Sequence, residues 1–578
     1  MLLEAIYHKP YSEYAFAFDR DSVVFRLRTK KGDVISIILV YHEKFDHTQK
    51  GSVKMDKVGS DGMFDYYEAR INPGFKRLNY MFFIEGVYNS TWYNTLGFSK
   101  GRPEWGLFSY SYICTGDIIR TPAWFENTVL YQIFPDRFNN PKMLGKYTKE
   151  NIEICKKHDF SHFGGTLKGI EEKLDHLVSL GVNTIYLNPV FKSNSYHRYD
   201  TIDYYAVDPT LGSEDELRKL IDLCHNKGLK IIMDAVFNHC SSEFAPFRDV
   251  YINGEDSRYK DWFYINSYPL RSYPKPNYEC FAFYGGMPKL NTYNEEVKKY
   301  LSDVIMYWTK NYSIDGWRFD VADEVDRNFW RHIRERLKAH SKDSILIGEI
   351  WDNASTWLNG DQFDTSLNYP LKACINDLFA YKSITVSQFA ERVDGYLMSL
   401  NPIVVNSMVN IISSHDTPRF LTLCGGNKDR FKLAVVFQFT FPGVPLIYYG
   451  DEIGMEGDAD PDCRRPMPWD ESGWDMELLD LYKFLIGIRK EYKSLTNGTY
   501  RNLRVLRSKD ILAFRRDSLQ ESLIVVMNIS DEKARGIVNF DCSHKVFTDI
   551  ISGKDYEIMG KKLDIELNPY EWKIYKVQ

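Results

Sequence analysis

The chain is 578 residues long, 44% hydrophobic and 26% charged, a composition that suits a globular protein of several domains rather than one. A formal net charge of −6 leaves no basic footprint for nucleic acid, and no apolar run is long enough to span a bilayer. The nine Cys are scattered without a C-x-x-C spacing, and the first ten residues lack a basic region followed by a long apolar run, so reduced thiols, no signal peptide and a cytoplasmic location are expected.

Residues 1–121 carry short alternating runs, such as Ser22 to Arg28, Val34 to Val40 and Leu78 to Ile84, punctuated by Gly, Asn and Pro. That pattern predicts an antiparallel β-sandwich. From Val129 the pattern changes to strands alternating with amphipathic helices. Strands are expected at Val129 to Phe134, Val182 to Leu187, Leu229 to Asp234, near Asp315, at Ser344 to Gly348, faintly near Phe363, at Met408 to Ile412 and at Val444 to Tyr449. Helices are expected at Leu167 to Leu180, after a Ser213/Glu216 capping box, and at Glu295 to Tyr312, Arg327 to His340, Lys428 to Phe441 and about Asp475 to Tyr492. Eight such units close a (β/α)8 barrel, giving residues 122–495 as one domain. Residues 240–291 interrupt the alternation, are rich in Pro, Tyr and Asn, show no helical repeat, and read as a small insertion domain after strand three. After about residue 496 short apolar runs return, and 496–578 reads as a second antiparallel β-domain.

The chemistry sits where a parallel barrel puts it, at the C-terminal ends of strands. Arg318 and Asp320 leave the same face of one strand, and a buried strand carries such a pair only when each has a partner or a task. Asp234, Asn238 and His239 follow the run Leu229 to Met233. Glu349 and Trp351 follow Ser344 to Ile347, and His415 and Asp416 follow Met408 to Ile412. A carboxylate and a carboxylic acid facing each other across a bond are what glycoside hydrolysis needs.

These four stretches, in this order and spacing, resemble the signature regions of the α-amylase family of glycoside hydrolases. A fifth, Met287 to Asn291, resembles the signature of the branch that holds neopullulanases, cyclomaltodextrinases and maltogenic amylases. The resemblance covers most of the chain, residues 1–121 being similar to that branch's N-terminal starch-binding-type domain. It implies a retaining α-glucan hydrolase cleaving α-1,4 and in some members α-1,6 bonds of cyclodextrins, maltooligosaccharides and pullulan, with transglycosylation in some members. By match to the motifs, Asp320 is the nucleophile, Glu349 the general acid/base and Asp416 the third carboxylate. Arg318 is expected to hold Asp320 ionised. Glu349 must keep a proton for the leaving oxygen, which the charges of Asp320 and Asp416 favour.

The resemblance further places His239 and His415 on the sugar at the cleavage point and Tyr199, beside His197, under its ring. Asp460 and Arg464 are matched to a loop that narrows the non-reducing side. Phe281, Phe283 and Trp351 are candidates for the leaving-group side. The branch also implies a homodimer in which the N-terminal domain of one chain covers the partner's active site. No cofactor is expected. Some relatives bind calcium after strand one, but here Gly164-Gly165-Thr166 has Thr in place of an Asp, which removes a hard anionic ligand. Asp352 and Asn353 follow Trp351 where the branch commonly has His. An oligo-α-1,6-glucosidase or a glucanotransferase on the same fold is the alternative, and a non-catalytic glucan-binding protein the second alternative. The intact carboxylates argue against the latter.

Overall fold

The computed structural model describes residues 1–141, 162–539, 546–557 and 562–577. It divides into two compact units, Thr121–Tyr381 with Ser407–Asn497, and Met1–Arg120 with Lys382–Asn406 and Gly498–Gln578.

The barrel is the first of these. Its strands are Leu130–Ile133, Thr184–Leu187, Lys230–Ala235, Gly316–Phe319, Ile345–Gly348, Thr365–Ser366, Val409–Asn410 and Val444–Tyr448. Each pairs in parallel with its neighbour, in the order six-five-four-three-two-one-eight-seven. A parallel bridge between Leu367 and Val409 joins strand six to strand seven. The strands are buried almost throughout, which explains their continuous apolar runs. Strands six and seven are two residues each, so Met408 to Ile412 is shorter as a strand than its apolar run suggests.

The helices follow their caps. Ser213 and Glu216 form the expected capping box, and Glu295–Tyr312 and Arg327–His340 run as predicted. Helix one differs, being two pieces, Leu167–Glu172 and Leu174–Leu180, broken at Lys173 and stopped at Gly181, whose φ of 96° only glycine adopts freely. The insertion also departs from its reading, because Ala245–Asn253 is a helix. Pro246 enters it at the first turn, where a missing N–H costs nothing, and its nine residues are too few for the periodicity to show. Bridges of His239 to Lys289 and Phe263 to Leu290 tie the two ends of the insertion together.

The second unit holds two β-domains. The N-terminal one packs a four-stranded against a six-stranded antiparallel sheet around Phe25, Leu39, Tyr80 and Phe82. The C-terminal one packs a six-stranded against a three-stranded sheet around Val526, Phe547 and Leu567. Of its expected strands, Lys545 lies outside the described residues and the strand begins at Val546. The helix Val386–Met398, from within the residues read as barrel, belongs here. Its backbone and side chains account for that. Arg26 donates to the Met398 carbonyl at 2.9 Å, and Asp394 accepts from the Ser60 amide at 3.1 Å and from Asn502 at 2.6 Å.

Candidate active site

The C-terminal ends of the barrel strands enclose a cleft of about 510 Å³. At its floor lies Arg318, 1% exposed. Its Nη1 donates to both oxygens of Asp234 at 2.9 Å and to Asp320 Oδ1 at 2.8 Å, while Nη2 forms an ion pair with Glu349 Oε1 at 2.6 Å. The strand register explains the grouping, since Asp234 lies opposite Arg318 and Phe319 lies opposite Gly348, the residue before Glu349. Asp320 and Glu349 are the first residues beyond their strands, and their amides extend the ladders to Ala235 and Phe319 at 3.0 Å.

The turn after Asp320 is strained. Val321, a β-branched residue, sits in the left-handed region at φ 44°, ψ 48°. The strain has a visible return, because the Val321 amide then donates to Glu349 Oε2 at 2.9 Å. Tyr369 donates to the other oxygen at 3.4 Å.

Arg318 favours the charged form of Asp320, as expected, but it does not act on Asp320 alone. One guanidinium serves three buried carboxylates. Burial pushes the Asp320 carboxyl well above the usual range, the charges of Glu349, Asp234 and Asp416 push the same way, and Arg318 only partly opposes them. Burial raises Asp234 as well, again against Arg318. Asp320 and Asp234 are thus both pushed towards the protonated form, and in so coupled a pair a proton belongs to the two together rather than to one member.

Asp416 is held from the opposite side. Arg464 Nη2 pairs with Asp416 Oδ1 at 3.2 Å and Nη1 with Asp460 Oδ1 at 3.1 Å, while Nε donates to the His415 carbonyl at 2.7 Å. His415 is buried, and burial followed by Arg464 and Arg318 keeps its imidazole well below its ordinary value, hence neutral. Gln132 donates to its Nδ1 at 2.8 Å, which leaves the proton on Nε2, facing Asp416 at 3.1 Å and the Tyr199 hydroxyl. The Tyr199 ring lies parallel to this imidazole at 5.4 Å and borders the cleft, and its hydroxyl donates to Asp234 at 3.0 Å. His197, depressed to about 4 chiefly by burial, also borders the cleft.

His239 is depressed to about 3 by burial and the Lys289 charge. Its buried Nε2 meets no protein partner, which suits it to a sugar hydroxyl. Phe281 stacks on it at 4.9 Å. Trp351, 48% exposed, stacks on Tyr369 at 4.0 Å at the edge of the cleft.

The cleft thus gathers Asp320, Glu349, Asp416, His197, Tyr199, His239, Phe281, Trp351, Asp460 and Arg464. Arg318 and His415 lie directly behind it. Phe283 is not brought in. It is 79% exposed and lines a separate hollow, because Ala282 and Phe283 both take positive φ and turn the two Phe rings apart. Sequence reasoning missed Met287, Val321, Asp323 and Glu324, which also line the cleft. Met287 opens a motif already marked and the other three follow Asp320 within four residues, so their place was available from adjacency but not their orientation.

The residues after strand one do not suit a calcium ion. Asp136 accepts the amides of Phe163 at 3.0 Å and Gly164 at 3.3 Å, and Thr166 caps a helix by accepting from Gly169. Asn140 turns its amide to the Phe163 carbonyl. The stretch from Lys142 to Gly145 lies outside the described residues.

With this geometry in hand, comparison with known proteins is decisive. The family model for the alpha amylase catalytic domain matches residues 132–498. The chain belongs to the α-amylase family of glycoside hydrolases. Models for the alpha amylase N-terminal ig-like domain and the maltogenic amylase C-terminal domain match residues 1–114 and 503–574. A cyclomaltodextrinase of Geobacillus thermopakistaniensis (strain MAS1) is 40% identical, with all of both chains covered. Neopullulanase 2 of Thermoactinomyces vulgaris is 41% identical over 99% of each. A solved cyclomaltodextrinase structure superposes with a TM-score of 0.93 at 35% identity, again over both whole chains. These relatives place the family member in the branch of cyclomaltodextrinases, neopullulanases and maltogenic amylases.

Proposed function

We propose that the enzyme hydrolyses the α-1,4 bonds of cyclodextrins, maltooligosaccharides and pullulan with retention of configuration, and that small or cyclic glucans are preferred to starch. The observation that carries the mechanism is the Arg318 guanidinium touching Asp320 and Glu349 together at the floor of one cleft. Asp320 attacks the anomeric carbon while Glu349 gives its proton to the departing glycosidic oxygen. This breaks the glycosidic bond and leaves a glycosyl ester on Asp320. Glu349, now a carboxylate, takes a proton from water, and that water opens the ester to release an α-anomer.

His239 Nε2 supplies a neutral N–H donor to the sugar, His415 Nε2 steadies Tyr199 and Asp416 from behind the cleft, and Asp416 accepts from sugar hydroxyls while Arg464 keeps it in place. Tyr199 offers its ring face. Asp460, tied to Arg464, narrows one end of the cleft, and Phe281 and Trp351 line the leaving-group side. The test compares initial rates on β-cyclodextrin and soluble starch at equal glucose content and follows the product anomer by NMR. Faster cyclodextrin cleavage and first-formed α-anomer are expected. Faster starch cleavage would overturn the preference, and a first-formed β-anomer the mechanism.

Three further readings belong here. We propose that the enzyme works without a metal, because Thr166 stands where a hard anionic ligand would be needed. It forms a homodimer, consistent with its N-terminal domain belonging to the branch type; sedimentation showing only monomer would count against this. It resides in the cytoplasm. Cys114, Cys224, Cys240, Cys280, Cys424 and Cys463 are free thiols, no described helix is long and apolar enough to cross a membrane, and a Bacillus subtilis (strain 168) relative, 38% identical over about nine-tenths of each chain, is named an intracellular maltogenic amylase.

A further inference from the structure

The insertion domain carries a second hollow, of about 710 Å³, beside the catalytic cleft and separate from it. Its floor is packed and fixed. Phe247 and Tyr278 are buried edge to face at 5.0 Å, and the Tyr278 hydroxyl is anchored on the Gly285 carbonyl at 2.6 Å. Its rim is the opposite. Tyr251, Tyr273, Phe283 and Tyr284 stand 57%, 84%, 79% and 63% exposed around it. A monomer rarely leaves four large rings around one concavity without a ligand for them.

The chemistry of the rim indicates which ligand. Three of the four rings are Tyr, each with a flat apolar face and a hydroxyl at its tip. Among them lies the ion pair of Arg248 and Glu243 at 2.9 Å, whose side chains stay about half exposed, so that both donors and acceptors border the rings. Flat rings with mixed donors and acceptors match the alternating apolar faces and hydroxyl edges of a pyranose. A purely apolar protein segment would cover the pair's remaining donors and acceptors without satisfying them.

The backbone links this hollow to the cleft. Phe281 borders the catalytic cleft and Phe283 the hollow, with Ala282 between them at φ 47°, ψ 33° and Phe283 at φ 62°. Two consecutive non-glycine residues in the left-handed region are costly, and such strain concentrates at binding sites. Here it turns neighbouring rings into adjoining hollows.

We propose that this hollow is a second α-glucan-binding site, adjoining the catalytic cleft across the Phe281 to Phe283 strap, that engages the extended part of linear maltooligosaccharides too long for the cleft. The proposal rests on the glucan reading of the cleft, and the experiment separates the two. Asp320→Asn is used to stop turnover, and maltoheptaose and maltotriose are titrated into it by calorimetry, alone and with Tyr273→Ala or Tyr284→Ala added. Both exposed rings can be removed without opening a core. On the active enzyme, each Ala variant is expected to lower kcat/KM on maltoheptaose about tenfold and to leave maltotriose turnover unchanged, with Tyr284→Phe close to wild type. Equal losses on both substrates, or no loss on either, would overturn the proposal, while a protein that binds neither sugar would overturn the glucan reading itself. If the Ala variants instead shift the sedimentation coefficient and leave maltoheptaose affinity intact, the hollow receives a second copy of the chain and the proposal is wrong.

Discussion

Two buried carboxylate sites in the same barrel are built in opposite ways. Asp364, just before the sixth strand, receives Arg334 at 2.7 Å, Lys338 at 2.7 Å and the Leu346 amide at 2.9 Å. One acid there has two cations. At the other site three acids, Asp234, Asp320 and Glu349, share Arg318. The first arrangement satisfies a buried charge completely and leaves nothing to react. The second holds surplus negative charge out of water, which is unfavourable for stability but keeps a proton available where a glycosidic oxygen can take it. At similar burial, the supply of cations is what distinguishes these two sites.

The strongest way to break this comparison is to neutralise one acid in each site. Asp320→Asn and Glu349→Gln are each expected to lose on the order of 10⁴-fold or more in maltotriose turnover. Their melting temperatures should be unchanged or higher, because one unfavourable charge is gone. Asp364→Asn should keep its turnover number and melt lower. A residual rate within tenfold of wild type for Asp320→Asn would remove the assignment of the nucleophile.

Removing the cation sharpens it. Arg318→Met leaves three buried carboxylates unneutralised and should cost about 3–5 kcal/mol of stability along with nearly all activity. Arg334→Met leaves Lys338 on Asp364 and should cost about 1 kcal/mol with turnover intact. Chemical denaturation with activity assays on both variants checks this, and equal costs would mean that the two sites are not differently built.

A third carboxyl extends the comparison to the other unit. Asp394 has only neutral partners, the Ser60 amide and Asn502, and burial raises it to about 6. Its folded value lies above the unfolded one near 4, so the folded form binds the extra proton between these values. Stability should therefore fall as pH rises from about 4 to about 6 and level off above, by at most about 3 kcal/mol. Asp394→Asn should flatten that slope, as urea midpoints across this range would register; an unaltered slope would show that other groups cause it. The smallest effect expected is that of chelation. Since Thr166 supplies no anionic ligand, EDTA should leave both the melting temperature and the rate unchanged, and a loss restored by calcium would contradict this.

Most of the barrel was legible because its strands are buried on every side and its helices are capped by recognisable residues such as Ser213 with Glu216. Strands six and seven were blurred, since two-residue strands carry almost no period. The membership of the site was legible too, each acid or His standing immediately after an apolar run. Its electrostatics were not. That Arg318 divides itself among three acids depends on register between strands 84 residues apart in sequence, which adjacency does not reveal. Phe281 and Phe283 look equivalent in sequence, and only the backbone angles of Ala282 and Phe283 send them to different hollows.

The helix Val386–Met398 also orders events during synthesis. The N-terminal sandwich has its own core, yet the Ser60 amide and one arm of Arg26 find their partners only in residues 382–406. At about 5–20 residues per second the ribosome takes on the order of tens of seconds to deliver that helix after residue 120 has emerged. Asn502, which completes the Asp394 contacts, arrives later still. The N-terminal sandwich, made before the barrel, is thus completed only after most of the barrel has been made.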